Sequence, residues 1–95
     1  MKLESITESP NEKKKLKAVF RLENNRTKTI HFGAKNYSDF TQHRSEERKA
    51  AYIARHGVNE SFNDPLTAGA LSRWVLWNKP TLKASIADFK KRFDL

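Results

Sequence analysis

The stretch that decides the fold is NDPLTAGALSRWVLWNKPTLKASIADFKKRF, residues 63–93. It holds both tryptophans and two of the three prolines, and its apolar residues recur at helical spacing. Pro80 divides it, because the residue before a proline is disfavoured in the helical region of backbone space. The stretch therefore predicts two helices joined by a proline turn, and these helices supply most of the apolar side chains for a core.

The first helix is expected to begin at Asn63-Asp64, where a short side-chain oxygen can cap the first turn, with Pro65 at the first helical position. Gly69 is unfavourable inside a helix and indicates either close packing of another element or a kink. We expect Trp74 in the core and Trp77 partly exposed. One broad apolar face is predicted to hold most of the residues Leu66, Ala70, Leu71, Trp74, Val75 and Trp77.

The second helix has the clearest pattern in the chain. Its apolar residues fall at i, i+4, i+7 and i+11, a single stripe made by Leu82, Ile86, Phe89 and Phe93. Thr81 is a suitable N-cap. We expect this stripe to be buried against a sheet.

That sheet is predicted from KKKLKAVFRLENNRTKTIHFGA, residues 13–34. Apolar and basic residues alternate before Asn24-Asn25, which suit a turn, so the segment predicts an antiparallel hairpin with one apolar and one basic face. Two strands alone are marginally stable, so helices must cover the apolar face. A middle helix over 46–56, capped by Ser45, is the third helix.

The predicted fold class is α+β: a basic antiparallel β-hairpin packed against two or three helices. Residues 1–12 are polar and show no period, which predicts a mobile arm before a single domain over 13–95. Since the chain has no cysteine, disulfides and thiolate metal sites are excluded and a reducing compartment is expected. No apolar run is long enough to cross a bilayer, and the N-terminus lacks the layout of a signal peptide.

Three segments carry a resemblance: GAKNYSDFTQH (33–43), ERKAAYIARH (47–56) and the quoted stretch 63–93. Together they resemble a family of short uncharacterised proteins encoded by nucleocytoplasmic large DNA viruses (giant viruses), over roughly residues 15–93. The resemblance implies a viral protein packaged with the genome, found in the virion and in the host cytoplasm or viral factory. It implies no catalytic residue.

Positive charge is concentrated in residues 13–35, which carry eight Lys or Arg against the single Glu23, within a net charge of +8 for the chain. Cations that neutralise phosphates release condensed counterions, so this block predicts nucleic-acid binding, with duplex DNA as the favoured partner. The alternative is a solvated face that only keeps the protein soluble. The residues predicted to contact nucleic acid are Lys13, Lys14, Lys15, Lys17, Arg21, Lys28 and Lys35, extended on the middle helix by Arg48 and Arg55.

No set of Arg, Asn and Gln is arrayed on a base-reading helix, so binding is expected to tolerate any sequence. The predicted function is non-enzymatic DNA binding in genome packaging or condensation. The rival hypothesis is a protein–protein adaptor or homodimer that uses Trp77. Neither a membrane nor a small-molecule substrate is an expected partner.

The sequence does not favour a metal-binding or catalytic role. His31, His43 and His56 match no zinc-ligand spacing. Asp39, His43 and the two glutamates at 46–47 suggest a nuclease-like metal site, but they fall in a predicted loop and at a predicted helix start. No catalytic residue, metal or cofactor is therefore predicted.

Overall fold

A three-stranded antiparallel sheet carries the fold in the computed structural model, which describes residues 1–95. The strands are β1 (Lys2–Glu8), β2 (Lys14–Arg21) and β3 (Thr27–Ala34), in the order β1-β2-β3. The helices are α1 (Phe40–His43), α2 (Glu46–His56), α3 (Ala68–Leu71) and α4 (Leu82–Arg92), with a π-helical segment at Ser72–Leu76. The predicted α+β class is confirmed.

The predicted hairpin is β2 and β3. Asn25 adopts a positive φ of 63° in the turn, a conformation that Asn tolerates better than most residues. Ala18, Phe20 and Phe32 are completely buried on the inner face, as the alternation predicts. Lys15, Lys17 and Arg21 occupy the alternate positions of β2 and are consequently directed to the opposite face.

The predicted mobile arm is wrong, because its residues 2–8 form β1 along the free edge of β2. Leu3 lies opposite Phe20 and Ile6 opposite Ala18, so both face the core. They are three residues apart, a spacing that breaks the period of two. The strand register shifts between Leu3 and Ser5, and this bulge turns both side chains inward.

Helix α4 covers the inner face of the sheet. Its N-cap is Thr81, as predicted, with Oγ1 accepting a hydrogen bond from the Ala84 amide at 3.2 Å. Phe89 has no exposed surface and meets Phe20 edge-on, with ring centroids 6.4 Å apart. Leu82, the first residue of the predicted stripe, is 36% exposed, so the stripe contributes to the core only from the second turn onward.

The helix before it starts later than predicted. Asp64 Oδ1 accepts from the Leu66 amide in a local turn, and Thr67 is the N-cap, accepting from the Ala70 amide at 3.2 Å. Gly69 lies against the side chain of Glu60. A Cβ added at Gly69 would stand only 3.1 Å from Glu60 Cδ. Of the two interpretations of this glycine, close packing is the one found.

After four residues α3 widens into the π-helical segment, in which the Trp77 amide bonds to the Ser72 carbonyl five residues earlier. Residues five apart then share a face, so Leu71 and Leu76 are both buried. The predicted face omitted Leu76, which is buried, whereas Trp77 packs against the core and is partly buried. Trp74 packs against the core but is only partly buried, and its Nε1 donates to the Phe62 carbonyl at 2.7 Å.

Helix α2 has the predicted bounds and the predicted N-cap, since Ser45 Oγ accepts from the Arg48 amide at 3.2 Å. It packs on the rest of the molecule through Tyr52, whose ring stacks on Trp77 at 4.4 Å with an interplanar angle of 3°. No helix is long and apolar enough to span a membrane.

Candidate nucleic-acid interface

The largest cleft opens between the open end of the hairpin, helix α2 and the start of α3, with a volume of about 920 Å³. Its sheet side includes Lys14 and Gly33, and its helical side includes Arg48 and Arg55. Gly33 has a φ of 81°, and a Cβ there would lie 2.6 Å from Leu76 Cδ1. Only glycine therefore lets the π-helical segment approach β3 this closely and form one wall of the cleft.

The cleft brings together residues that lie far apart in the sequence. Lys14, Lys15, Arg48, Arg55 and Trp77, all predicted site residues, line it. Two more predicted cations, Lys13 and Lys35, lie next to the cleft. The Lys35 amide donates to the Lys13 carbonyl at 3.0 Å, which places both residues at the open end of the hairpin. Both of those side chains are exposed.

Lys15 does not present a free charge. Its Nζ donates to Asp39 Oδ2 at 2.6 Å and to Gln42 Oε1 at 2.9 Å, and its side chain is only 16% exposed. The other oxygen of Asp39 accepts from the Thr41 amide as the N-cap of α1. This lysine therefore fastens α1 to β2, and the Asp39 carboxylate is used in the same contact.

The outer face of the sheet holds two further predicted contacts. Arg21 Nε donates to Glu4 Oε1 of β1, and these side chains are 44% and 39% exposed. Lys17 forms no ion pair and lies between its strand partners Thr7 and His31. The outer face is therefore less positive than the alternation in β2 suggests.

Lys28 lies on the other side of the sheet. Its partner in β2 is the buried Phe20, and directly opposed residues of antiparallel strands point to the same face. Lys28, one of the residues predicted to contact nucleic acid, therefore does not share a face with Lys15, Lys17 and Arg21. It is also at the turn end of the hairpin, whereas Lys14 pairs with Ala34 at the open end.

Lys14, Arg48 and Arg55 form no ion pair, and neither do Lys13 and Lys35. Arg48 and Arg55 form no intrahelical ion pair with Glu46 or Glu47. Arg48 Nη2 instead donates to Ser38 Oγ at 3.2 Å. We name these five unpaired residues the cleft cations: Lys13, Lys14, Lys35, Arg48 and Arg55.

Aromatic rings form a stack along one side of the cleft. His56 stacks on Tyr52 at 4.3 Å, Tyr52 stacks on Trp77, and the His43 ring lies 5.2 Å from Trp77. Burial raises the pKa of Tyr52 to about 12, so its hydroxyl is neutral at physiological pH. Trp77 is partly buried in this stack, in agreement with its predicted partial exposure.

Tyr37 is the cleft residue that sequence reasoning missed. It belongs to the loop after β3, lines the cleft, and leaves 74% of its surface exposed. The available signal was an aromatic residue within the otherwise polar stretch AKNYSD. Such a ring has no packing role in the fold.

The three histidines have separate structural roles. His31 Nδ1 lies 2.7 Å from Ser9 Oγ, His43 Nδ1 accepts from the Ser45 amide at 3.0 Å, and His56 Nδ1 lies 3.5 Å from Glu60 Oε2. No three His, Asp or Glu side chains converge as metal ligands do. The expectation that the protein binds no metal stays a prediction.

Comparison with known families gives a match that covers most of the sheet together with helices α1 and α2. A family model described as a family of unknown function (DUF5754) matches residues 4–56, more than half of the chain. The chain belongs to this family. The matched part contains every cation predicted to contact nucleic acid, whereas Trp77, α3 and α4 lie beyond it. No curated protein and no solved structure matches the chain.

Proposed function

We propose that the protein binds nucleic acid without sequence preference, duplex DNA foremost, through contacts between the cleft cations and phosphates. The observation that carries the proposal is that Lys14 of β2 and Arg48 and Arg55 of α2 line one cleft, with Lys13 and Lys35 beside it at the open end of the hairpin. None of these five cations is neutralised by a carboxylate. Each contact with a phosphate releases counterions from the nucleic acid, which favours binding.

The spacing of the two arginines suits a phosphate backbone. Arg48 and Arg55 are seven residues apart on α2, so they lie on one side of the helix and about 10 Å apart along its axis. Successive phosphates of one DNA strand advance by about 3.4 Å along the duplex axis. Two arginines at this spacing match phosphates about three steps apart.

Arg21 is a secondary contact on this proposal. Its ion pair with Glu4 is exposed, and exposed pairs contribute only ~0–1 kcal/mol, so a phosphate can replace the carboxylate. Lys15 is different, because its partner Asp39 is almost fully buried and also caps α1. We therefore leave Lys15 out of the proposed phosphate contacts.

The proposed role is packaging or condensation of a viral genome. It is supported by the resemblance of three segments of the chain to short proteins of large DNA viruses and by the net charge of +8. A small basic protein that ignores base sequence can cover a genome at any position, since phosphate contacts carry no sequence information. The corresponding locations are the virion and the host cytoplasm or viral factory.

The test is the salt dependence of binding to duplex DNA, measured by fluorescence anisotropy or gel shift. About five phosphate contacts should give a slope of log K against log salt of roughly −4 to −5. Scrambling the DNA sequence should change the affinity by far less than the ~10³-fold that separates specific from non-specific sites. If no nucleic acid binds at about 50 mM salt, where the electrostatic contribution is largest, the proposal is wrong.

The adaptor or homodimer hypothesis rests on Trp77, and its indole already stacks on Tyr52 within the chain. Sedimentation of wild type and Trp77→Ala tests it. A wild-type dimer that becomes a monomer in the variant, with the fold retained by circular dichroism, would favour the homodimer. A wild-type monomer would count against a homodimer.

A further inference from the structure

The cleft combines two chemistries that phosphate binding alone does not need. Cations stand on both of its sides, while its lining includes the rings of Tyr37, Tyr52 and Trp77. A flat row of lysines would be sufficient to hold a duplex backbone. The depth and the aromatic lining therefore call for a separate explanation.

The size of the cleft suits an aromatic ligand. At about 920 Å³ it lies within the range of ~300–1,000 Å³ found for pockets that bind small molecules. Its lining also offers the hydroxyl groups of Ser38 and Ser72. A nucleobase is a flat ring with hydrogen-bonding edges, and it is joined to the phosphates that the cations attract.

Tyr37 supplies a free stacking surface. Both faces of Tyr52 are covered, by His56 and by Trp77, whereas Tyr37 leaves 74% of its surface exposed. Its loop is held in place on both sides: the Tyr37 amide donates to the Ala34 carbonyl at 3.2 Å, and the neighbouring Ser38 accepts from Arg48. The ring thus stands beside a cation that can bind the phosphate of the same nucleotide.

We infer that the cleft binds unpaired nucleobases, with one base stacked on Tyr37 while Lys14, Arg48 and Arg55 hold the adjoining phosphates. The ligand class is single-stranded nucleic acid, since the bases of a duplex are stacked on each other and cannot enter a cleft. This inference rests on the proposed nucleic-acid binding and adds a contact that duplex DNA cannot make. Single strands are then bound by base and phosphate, and duplexes by phosphate alone.

The test compares three oligonucleotides of equal length at one salt concentration: a single strand, the same strand with its bases removed at consecutive sites, and a duplex. Wild type should bind the intact single strand more tightly than the abasic strand. Tyr37→Ala should weaken binding of the intact strand by about 5- to 150-fold, the range expected for losing one stacked base. Binding of the duplex should not change.

Tyr37→Phe is the matched control, because it keeps the ring and removes only the hydroxyl; it should bind the intact strand as wild type does. The exposure of Tyr37 makes both variants compatible with the fold, which circular dichroism checks. Equal affinity of wild type for intact and abasic strands, or equal weakening of single strand and duplex by Tyr37→Ala, would overturn the inference and leave phosphate binding standing. Failure of wild type to bind any of the three would overturn the proposed function itself.

Discussion

Two groups of basic residues on this molecule carry the same charge but have different surroundings. On the outer face of the sheet, Arg21 is paired with Glu4 and Lys17 lies between two neighbouring strands. Around the cleft, Lys14, Arg48 and Arg55 have no carboxylate partner. The difference shows that the charge of a segment does not determine how much of it can reach a ligand, because carboxylates from distant segments neutralise part of it.

Lys14 and Lys15 show the contrast within two adjacent residues. Alternation in β2 sends their side chains to opposite faces, and only Lys15 meets the Asp39 carboxylate. Nothing in KKKLK distinguishes the two lysines. The distinction comes from α1, whose N-cap happens to reach one of them.

The largest expected effect is a loss of stability when a core residue that supports both groups of cations is removed. Phe89→Ala should lower the free energy of unfolding by about 3–5 kcal/mol, because it removes a fully buried ring that packs on Phe20 behind both cationic surfaces. Thermal melting measures it. Leu82→Ala, on the same helix but 36% exposed, is the control and should change stability by about 0.5 kcal/mol or less. Equal losses in the two variants would contradict the assignment of the core.

The next effect separates the two groups directly. Lys14→Glu, Arg48→Glu and Arg55→Glu together should abolish DNA binding at moderate salt, since they reverse three of the five cleft cations. The matched control reverses Lys17, Arg21 and Lys28, which gives the same net charge, and should retain most of the affinity. Anisotropy titrations with duplex DNA measure both. Equal loss in the two triple variants would mean that net charge, rather than the cleft, governs binding.

Much of the fold follows from sequence periodicity. Helix α2 with Ser45, helix α4 with Thr81, and the hairpin are found where the patterns predict them. Two of the misses come from a local departure from regular period: the bulge in β1 and the π-helical turns before Trp77. Neither feature has a sequence signature, because each depends on packing against a partner strand or helix.

The candidate site was predictable only in part. The chain pattern identifies which residues are basic, and in β3 the alternation already puts Lys28 on the side of Ile30 and Phe32. It does not reveal that Arg48 and Arg55 face Lys14 across a cleft, because that depends on how α2 docks through Tyr52 and Trp77. Pairing of Arg21 with Glu4 was equally hidden, since it required β1.

A smaller effect on DNA binding is expected when the paired cation Arg21 is released from its carboxylate. Glu4→Gln should free Arg21 for phosphate and make the slope of log K against log salt steeper by about 1. Glu8→Gln is the matched control, because it removes the same charge from the same strand and frees no partner. The two salt series distinguish a local release from a general change in charge. Identical slopes would show that Glu4 does not compete with phosphate for Arg21.

The smallest effect concerns His43, at the end of the aromatic stack. Burial lowers the pKa of His43 below its usual value of 6.5, and the nearby Arg48 cation lowers it further, although Asp39 opposes the shift. Below pH 6.5 the unfolded chain therefore takes up a proton that the folded protein refuses, so stability is full above that pH and falls as the pH approaches the folded pKa. The drop in melting temperature between pH 7.5 and 5.5 should be smaller in His43→Gln than in wild type. His31→Gln, on the outer face of the sheet, shows whether the effect belongs to His43. If both variants reduce the drop equally, the lowered pKa of His43 is not its cause.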